Sequence, residues 1–144
     1  MIQYNQQNQL GVQKMRIWHY DLIKNLPRSQ LLAQWRELNS IFKKQDKHIL
    51  INYVYNYPKC YLQSYADKVI GEMVKRKYKI KSLEKYNKYF LGVYSTGLER
   101  FAEHNDEYLT ICYWNLREKF IRGQKDFTEE TWNKIKKICK GVWL

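Results

Sequence analysis

The sequence predicts an all-α protein, a compact single-domain bundle of three to four main helices. Three observations carry that prediction. Apolar residues recur at helical spacing over long stretches, above all Tyr61, Leu62, Tyr65, Ala66, Val69, Ile70, Met73 and Val74. Strand signals are nearly absent: one β-branched and aromatic run, Ile49 to Tyr57, has no partner run nearby. At 144 residues and 44% hydrophobic content, the chain suffices for one buried core and no more.

Residues 1–14 are Gln/Asn-rich with little apolar content and read as a flexible arm, leaving residues 15–144 as one domain. Arg16 to Lys24 has no clean period. Asn25-Leu26-Pro27 reads as a turn, because proline disfavours helix at the residue before it. Ser29 is placed to cap the helix that follows, whose apolar face is Leu31, Leu32, Trp35, Leu38, Ile41 and Phe42. Glu37 falls at the edge of that face, beside Gln34 and Ile41, where a carboxylate is partly shielded yet reachable. The helix closes in a basic run, Lys43, Lys44 and Lys47 with Asp46 among them, suited either to the helix dipole or to a phosphate backbone.

The run from Ile49 to Tyr57 is expected as an extended, buried connection whose tyrosines pack against helices. Pro58 is a good first-turn residue for the strongest helix, which ends in a second basic cluster, Lys75, Arg76, Lys77 and Lys79. From Lys81 to Phe101 the pattern predicts a short helix and a loop. Gly92 and Gly97 lack the flanking residues of a nucleotide-binding loop. Asn105 or Asp106 caps a third long helix running to about Phe120, with Leu109, Cys112, Leu116 and Phe120 on one face. His104, just outside it, reads as a local hydrogen bond at the start of that helix. Thr128 caps the last helix, Phe127 and Trp132 have the spacing of a hydrophobic staple, and residues 142–144 are expected to fold back on the domain.

Charge narrows the function. There are 26 Lys and Arg against 14 Asp and Glu, a net charge of +12. Residues 1–80 hold 14 of the basic and 5 of the acidic side chains, so the excess lies in the first half. Together with 16% aromatic residues, this favours nucleic acid as partner ahead of an anionic membrane surface. Cys60, Cys112 and Cys139 lack zinc-ligand or redox spacing, which predicts reduced thiols, and the three histidines are equally scattered. No apolar run is long enough for a membrane span, and none has the form of a signal peptide. The expectation is a cytoplasmic monomer without metal or cofactor.

Arg36 and Glu37 stand side by side, a pairing suited to holding a phosphate beside acid/base or electrostatic chemistry, although most such neighbours on helices simply form a solvated face. In order and spacing, Arg16, Trp18, His19, Leu22, Leu26, Pro27, Leu31, Leu32, Arg36 and Glu37 resemble the opening of a family of small bacterial proteins. These are related to the phage pyrimidine-dimer DNA glycosylase, also called endonuclease V. The resemblance continues to about Ile80 and returns weakly at Glu103-His104-Asn105-Asp106.

The resemblance implies an enzyme that binds and kinks double-stranded DNA, flips out a nucleotide at an ultraviolet lesion, cleaves the glycosidic bond and nicks the strand at the abasic sugar. It implies Glu37 as the catalytic carboxylate and Arg36 as a substrate-binding arginine; His19 and the basic run Lys43, Lys44 and Lys47 are expected among the DNA contacts. The family nucleophile is a terminal α-amine next to a small residue, which makes Arg16 the position where that terminus would enter the site. Two features depart from the pattern. Met15 is followed by the bulky Arg16, and Ser40 stands where the phage enzyme has a basic residue. Lys24 is then the alternative amine. Two other readings remain: a non-catalytic nucleic-acid-binding module on the same fold, and a base-excision enzyme whose Glu37 activates water.

Overall fold

In the computed structural model, residues 16–45 and 47–140 are described. The arm expected over 1–14, Asp46 and the expected fold-back of 142–144 lie outside them. Among the described residues there are no strands, and five α-helices form the fold: α1 (Arg28–Lys43), α2 (Lys59–Lys75), α3 (Glu84–Tyr89), α4 (Asp106–Ile121) and α5 (Glu129–Cys139). Two 3-10 helices, Tyr20–Asn25 and Asn52–Asn56, join them. The four long helices are those the apolar periodicity predicts. None of them is long and apolar enough to cross a membrane.

The core is one contiguous cluster running from Ile17 to Cys139. Its centre is the segment without a readable period. Ile17, Leu22, Ile23 and Leu26 are all buried, and the Tyr20–Asn25 helix packs against both α2 and α5. Only Asp21 and Lys24 are exposed there, and the rest of the segment is held between two helices at once, so no single amphipathic face shows. Around it, α1 packs on α2 and α3, and α4 on α5.

Several local expectations change in the folded context. Pro58 occupies the cap position of α2, with extended backbone, rather than the first helical turn, and Pro27 holds the same position before α1. Ser29 does not cap α1. Its N–H and hydroxyl both donate to the Asp126 carboxylate, at 2.7 and 2.6 Å, so the positive end of α1 is met by a carboxylate from far along the chain. The run Ile49–Tyr57 is not extended: Asn52–Asn56 is a 3-10 helix, and Ile51 and Val54, three apart, bury the same side. Val74, placed on the α2 stripe, is exposed.

Other local signals act as written. Asn105 Oδ1 accepts from the Tyr108 N–H and Thr128 Oγ1 from the Thr131 N–H, capping α4 and α5. The Phe127 and Trp132 rings lie 6.0 Å apart, forming the staple. Helix α2 ends with Lys77 in the left-handed region at φ 63°, where Lys77 and Tyr78 donate back to Val74 and Met73. That reversal sends Lys79 and Lys81 back toward α1.

Candidate active site

Glu37 is half-buried on α1, in a cleft of about 240 Å³. One wall is the α1 face made of Gln30, Ala33, Arg36 and Glu37, three or four residues apart. Arg16 and Trp18 form the floor. The opposite wall is Asn115 and Lys119, one turn apart on α4. The start of α1 is tied to the turn after α4 by paired Gln30–Gln124 amide hydrogen bonds of 3.1 and 2.8 Å and by the Ser29–Asp126 contact.

The floor is held by a buried glutamine. Gln34 Oε1 accepts from the Trp18 N–H at 2.8 Å, and the Tyr65 hydroxyl lies 2.8 Å from it and 2.7 Å from the Trp18 carbonyl. Gln34 Nε2 donates to the Arg16 carbonyl at 3.0 Å and to Glu37 Oε1 at 3.3 Å. A fully buried amide with all these partners is a rigid bracket. It locks the opening segment to α1 and orients the Glu37 carboxylate at the cleft surface. Arg16 lies between two rings, its guanidinium carbon 6.0 Å from the centroids of both Trp18 and Tyr108.

Beside this cleft runs a basic groove of about 670 Å³. Arg36, Lys43, Lys79, Lys81 and Lys85 supply its cations, and Leu32, Trp35 and Met73 form its apolar base. Among the described residues, Glu84 is its one carboxylate. The three ion pairs found among the described residues use Arg76, Arg122 and Lys134, and none of the groove cations. Arg36 lines both the groove and the Glu37 cleft.

The structure therefore brings Arg16, Arg36 and Glu37 to one cleft and Lys43 to the groove that Arg36 shares, and it separates the other expected residues from both. Lys44 and Lys47 are exposed beyond the end of α1 and line neither hollow. Lys24 opens onto a different cleft, beside Arg28, Arg76 and Asp126, and so does not face Glu37.

His19 is buried and is not presented to solvent. Its Nδ1 accepts from the Asp21 N–H at 3.0 Å, capping the 3-10 helix, and its ring stacks on His104 at 5.4 Å. His104 is not a local helix-start contact either. Its Nδ1 accepts from the Tyr20 N–H at 3.0 Å and its Nε2 lies 2.7 Å from the Tyr53 hydroxyl, tying three segments together. Burial, with His19 alongside, pushes its pKa down to about 3, and burial lowers that of His19 as well.

Sequence reasoning missed Gln34 as a bracket, Lys81 and Lys85 as groove residues, and Asn115 and Lys119 as the far wall. The four-residue spacing of Asn115 and Lys119 was visible, but not which element they would face. Cys60, Cys112 and Cys139 are free thiols. Among the described residues, no group of three or more His, Cys, Asp or Glu is placed to hold a metal ion.

No curated protein and no solved structure gives a significant match to the chain. A sequence model of the pyrimidine dimer DNA glycosylases matches residues 15–86, which is half of the chain and includes the floor, the α1 wall and all the groove cations. The protein belongs to the pyrimidine dimer DNA glycosylase family.

Proposed function

We propose that this protein is a DNA-repair glycosylase that holds duplex DNA along the basic groove and works on a flipped, damaged pyrimidine nucleotide at the Glu37 cleft. A nick at the resulting abasic sugar follows in the same site. The observation that carries this reading is Arg36, which lines both hollows. A phosphate held there lies at the junction of a five-cation groove and a cleft with a bracketed carboxylate, as flipping of one nucleotide out of a bound duplex requires.

Each residue has a role in this scheme. Lys43, Lys79, Lys81 and Lys85 neutralise the backbone, and Arg36 holds the phosphate beside the lesion. Lys44 and Lys47 extend the positive field beyond the groove without lining it. Glu37 stabilises the cationic sugar that develops as the glycosidic bond breaks, and it moves protons. Arg16 and Trp18 shape the floor. His19 acts indirectly, by fixing the Tyr20–Asn25 helix behind that floor.

The decisive experiment is Glu37→Gln, which keeps size and hydrogen-bonding reach but removes the charge. Base release from ultraviolet-irradiated duplex should fall by about 100-fold or more while DNA binding persists. A variant that releases bases as the natural protein does would return Glu37 to a solvated helix face, and absence of base release from the natural protein itself would reduce it to a DNA-binding module. Binding is tested separately with the triple change Lys79→Ala, Lys81→Ala, Lys85→Ala. The slope of log affinity against log salt should drop by about 0.9 for each phosphate that is no longer neutralised. The same number of changes at Lys134, Lys136 and Lys137 should leave that slope nearly unchanged.

A further inference from the structure

Among the described residues, Lys119 is the one lysine that lines the Glu37 cleft. It lies on α4, outside the residues that the family match covers. It is half-buried, and it takes part in none of the ion pairs found among the described residues. Its sequence neighbour Glu118 is instead paired with Arg122 at 2.9 Å. The position of Lys119 is firm: its carbonyl accepts from the Gln124 N–H at 3.1 Å in the left-handed turn at Gly123, and Gln124 is hydrogen-bonded in turn to Gln30 of the facing wall. The chain thus holds a primary amine outside those ion pairs opposite a positioned carboxylate, both lining the same space. Lys24, the amine that the sequence offered, faces elsewhere.

We propose that the side-chain amine of Lys119 is the nucleophile that forms an imine with the abasic sugar. The proposal rests on the glycosylase reading above and names the group that would carry its strand-cleaving step. The ammonium first loses a proton to solvent. Nζ then adds to C1′ of the ring-opened aldehyde, and water departs to leave the imine. The Glu37 carboxylate takes a proton from C2′, the C3′–O bond breaks, and the 3′ phosphate leaves with the bonding electrons. Hydrolysis of the imine returns the lysine and the unsaturated sugar aldehyde. No oxidant or metal enters the balance. A nucleophile on a helix also makes the step independent of where the chain begins.

The test is borohydride trapping on duplex DNA carrying one abasic site, using the full chain, Lys119→Arg, Lys24→Ala and Glu37→Gln. Lys119→Arg keeps the positive charge but forms no stable imine, and its melting curve checks that it folds. The expected result is an adduct with the natural protein and with Lys24→Ala, loss of the adduct in Lys119→Arg, and unchanged DNA binding in all three. Tryptic mass mapping should place the adduct on Glu118–Arg122, uncleaved at the modified lysine. An adduct that maps elsewhere, or that survives Lys119→Arg, overturns the assignment of Lys119 and leaves the glycosylase reading standing. Absence of any adduct alongside Glu37-dependent base release does the same. Absence of adduct, base release and duplex binding together overturns both.

Discussion

Two polar clusters sit back to back on the same opening segment, and they put their buried polar atoms to different uses. On one side Gln34 and Tyr65 bracket the backbone of Arg16 and Trp18 and hand one hydrogen bond on to Glu37 at the cleft surface. On the other, His19, His104 and Tyr53 close around the backbone of Tyr20 and Asp21. The second cluster ends on backbone N–H groups and the Tyr53 hydroxyl and lines neither the cleft nor the groove. The first ends on a carboxylate that faces a hollow lined by cations. Histidine is the side chain that enzymes use most often for proton transfer, yet both histidines here bond to backbone, and a neutral glutamine bonds to Glu37. Burial with satisfied partners, more than residue type, separates scaffold from site.

The sharpest way to break this contrast is Gln34→Ala. It leaves the Trp18 N–H, the Arg16 carbonyl and the Tyr65 hydroxyl short of a partner and opens a cavity, so unfolding stability should fall by about 3 kcal/mol. Because Glu37 loses its orienting donor, base release should fall further than the loss of folded protein explains. Chemical denaturation and single-turnover base release on the same sample separate the two effects. Equal losses would reduce Gln34 to a core residue.

The histidine cluster should respond to acid instead. Both histidines have lowered pKa values in the folded protein, so below pH 6.5 the unfolded chain binds protons that the folded one refuses. Stability is therefore complete above about pH 6.5 and declines as pH drops toward 3. For His104 alone the slope approaches 1.4 kcal/mol per pH unit, about 2 kcal/mol at pH 5, and His19 adds in the same sense. Denaturation midpoints at pH 7.5 and 5 check this. His104→Gln should flatten the slope and leave base release at neutral pH intact once folded fractions are matched. A strong loss of activity in that variant would place the histidines in the site after all.

The mildest change is Tyr65→Phe. It removes one hydroxyl from the Gln34 bracket but leaves the ring and the Trp18 N–H contact to Gln34, so the cost should be about 1–2 kcal/mol with little effect on nicking. If it instead matches Gln34→Ala in both respects, the bracket works as a unit and the tyrosine is essential to it.

By itself, the sequence determined the helical architecture, because an apolar stripe such as Leu62 to Met73 can be buried in only one way, along one helix face. It also determined the caps at Asn105 and Thr128 and the Phe127–Trp132 staple, whose donors, acceptors and rings lie within five residues of each other. The Arg36–Glu37 pair and the basic excess of the first half were legible for the same reason: neighbours on one helix stay neighbours in the fold. Tertiary structure decided everything that depends on which surfaces meet. It placed Lys119 and Asn115 across from Glu37, turned Lys24 away, sealed His19 inside, and gave the capping of Ser29 to Asp126, 97 residues away. These outcomes follow from how α1 and α4 are set around the buried segment Ile17–Leu26. A segment held between several elements shows no single period along the chain, so its partners are fixed only when the core closes.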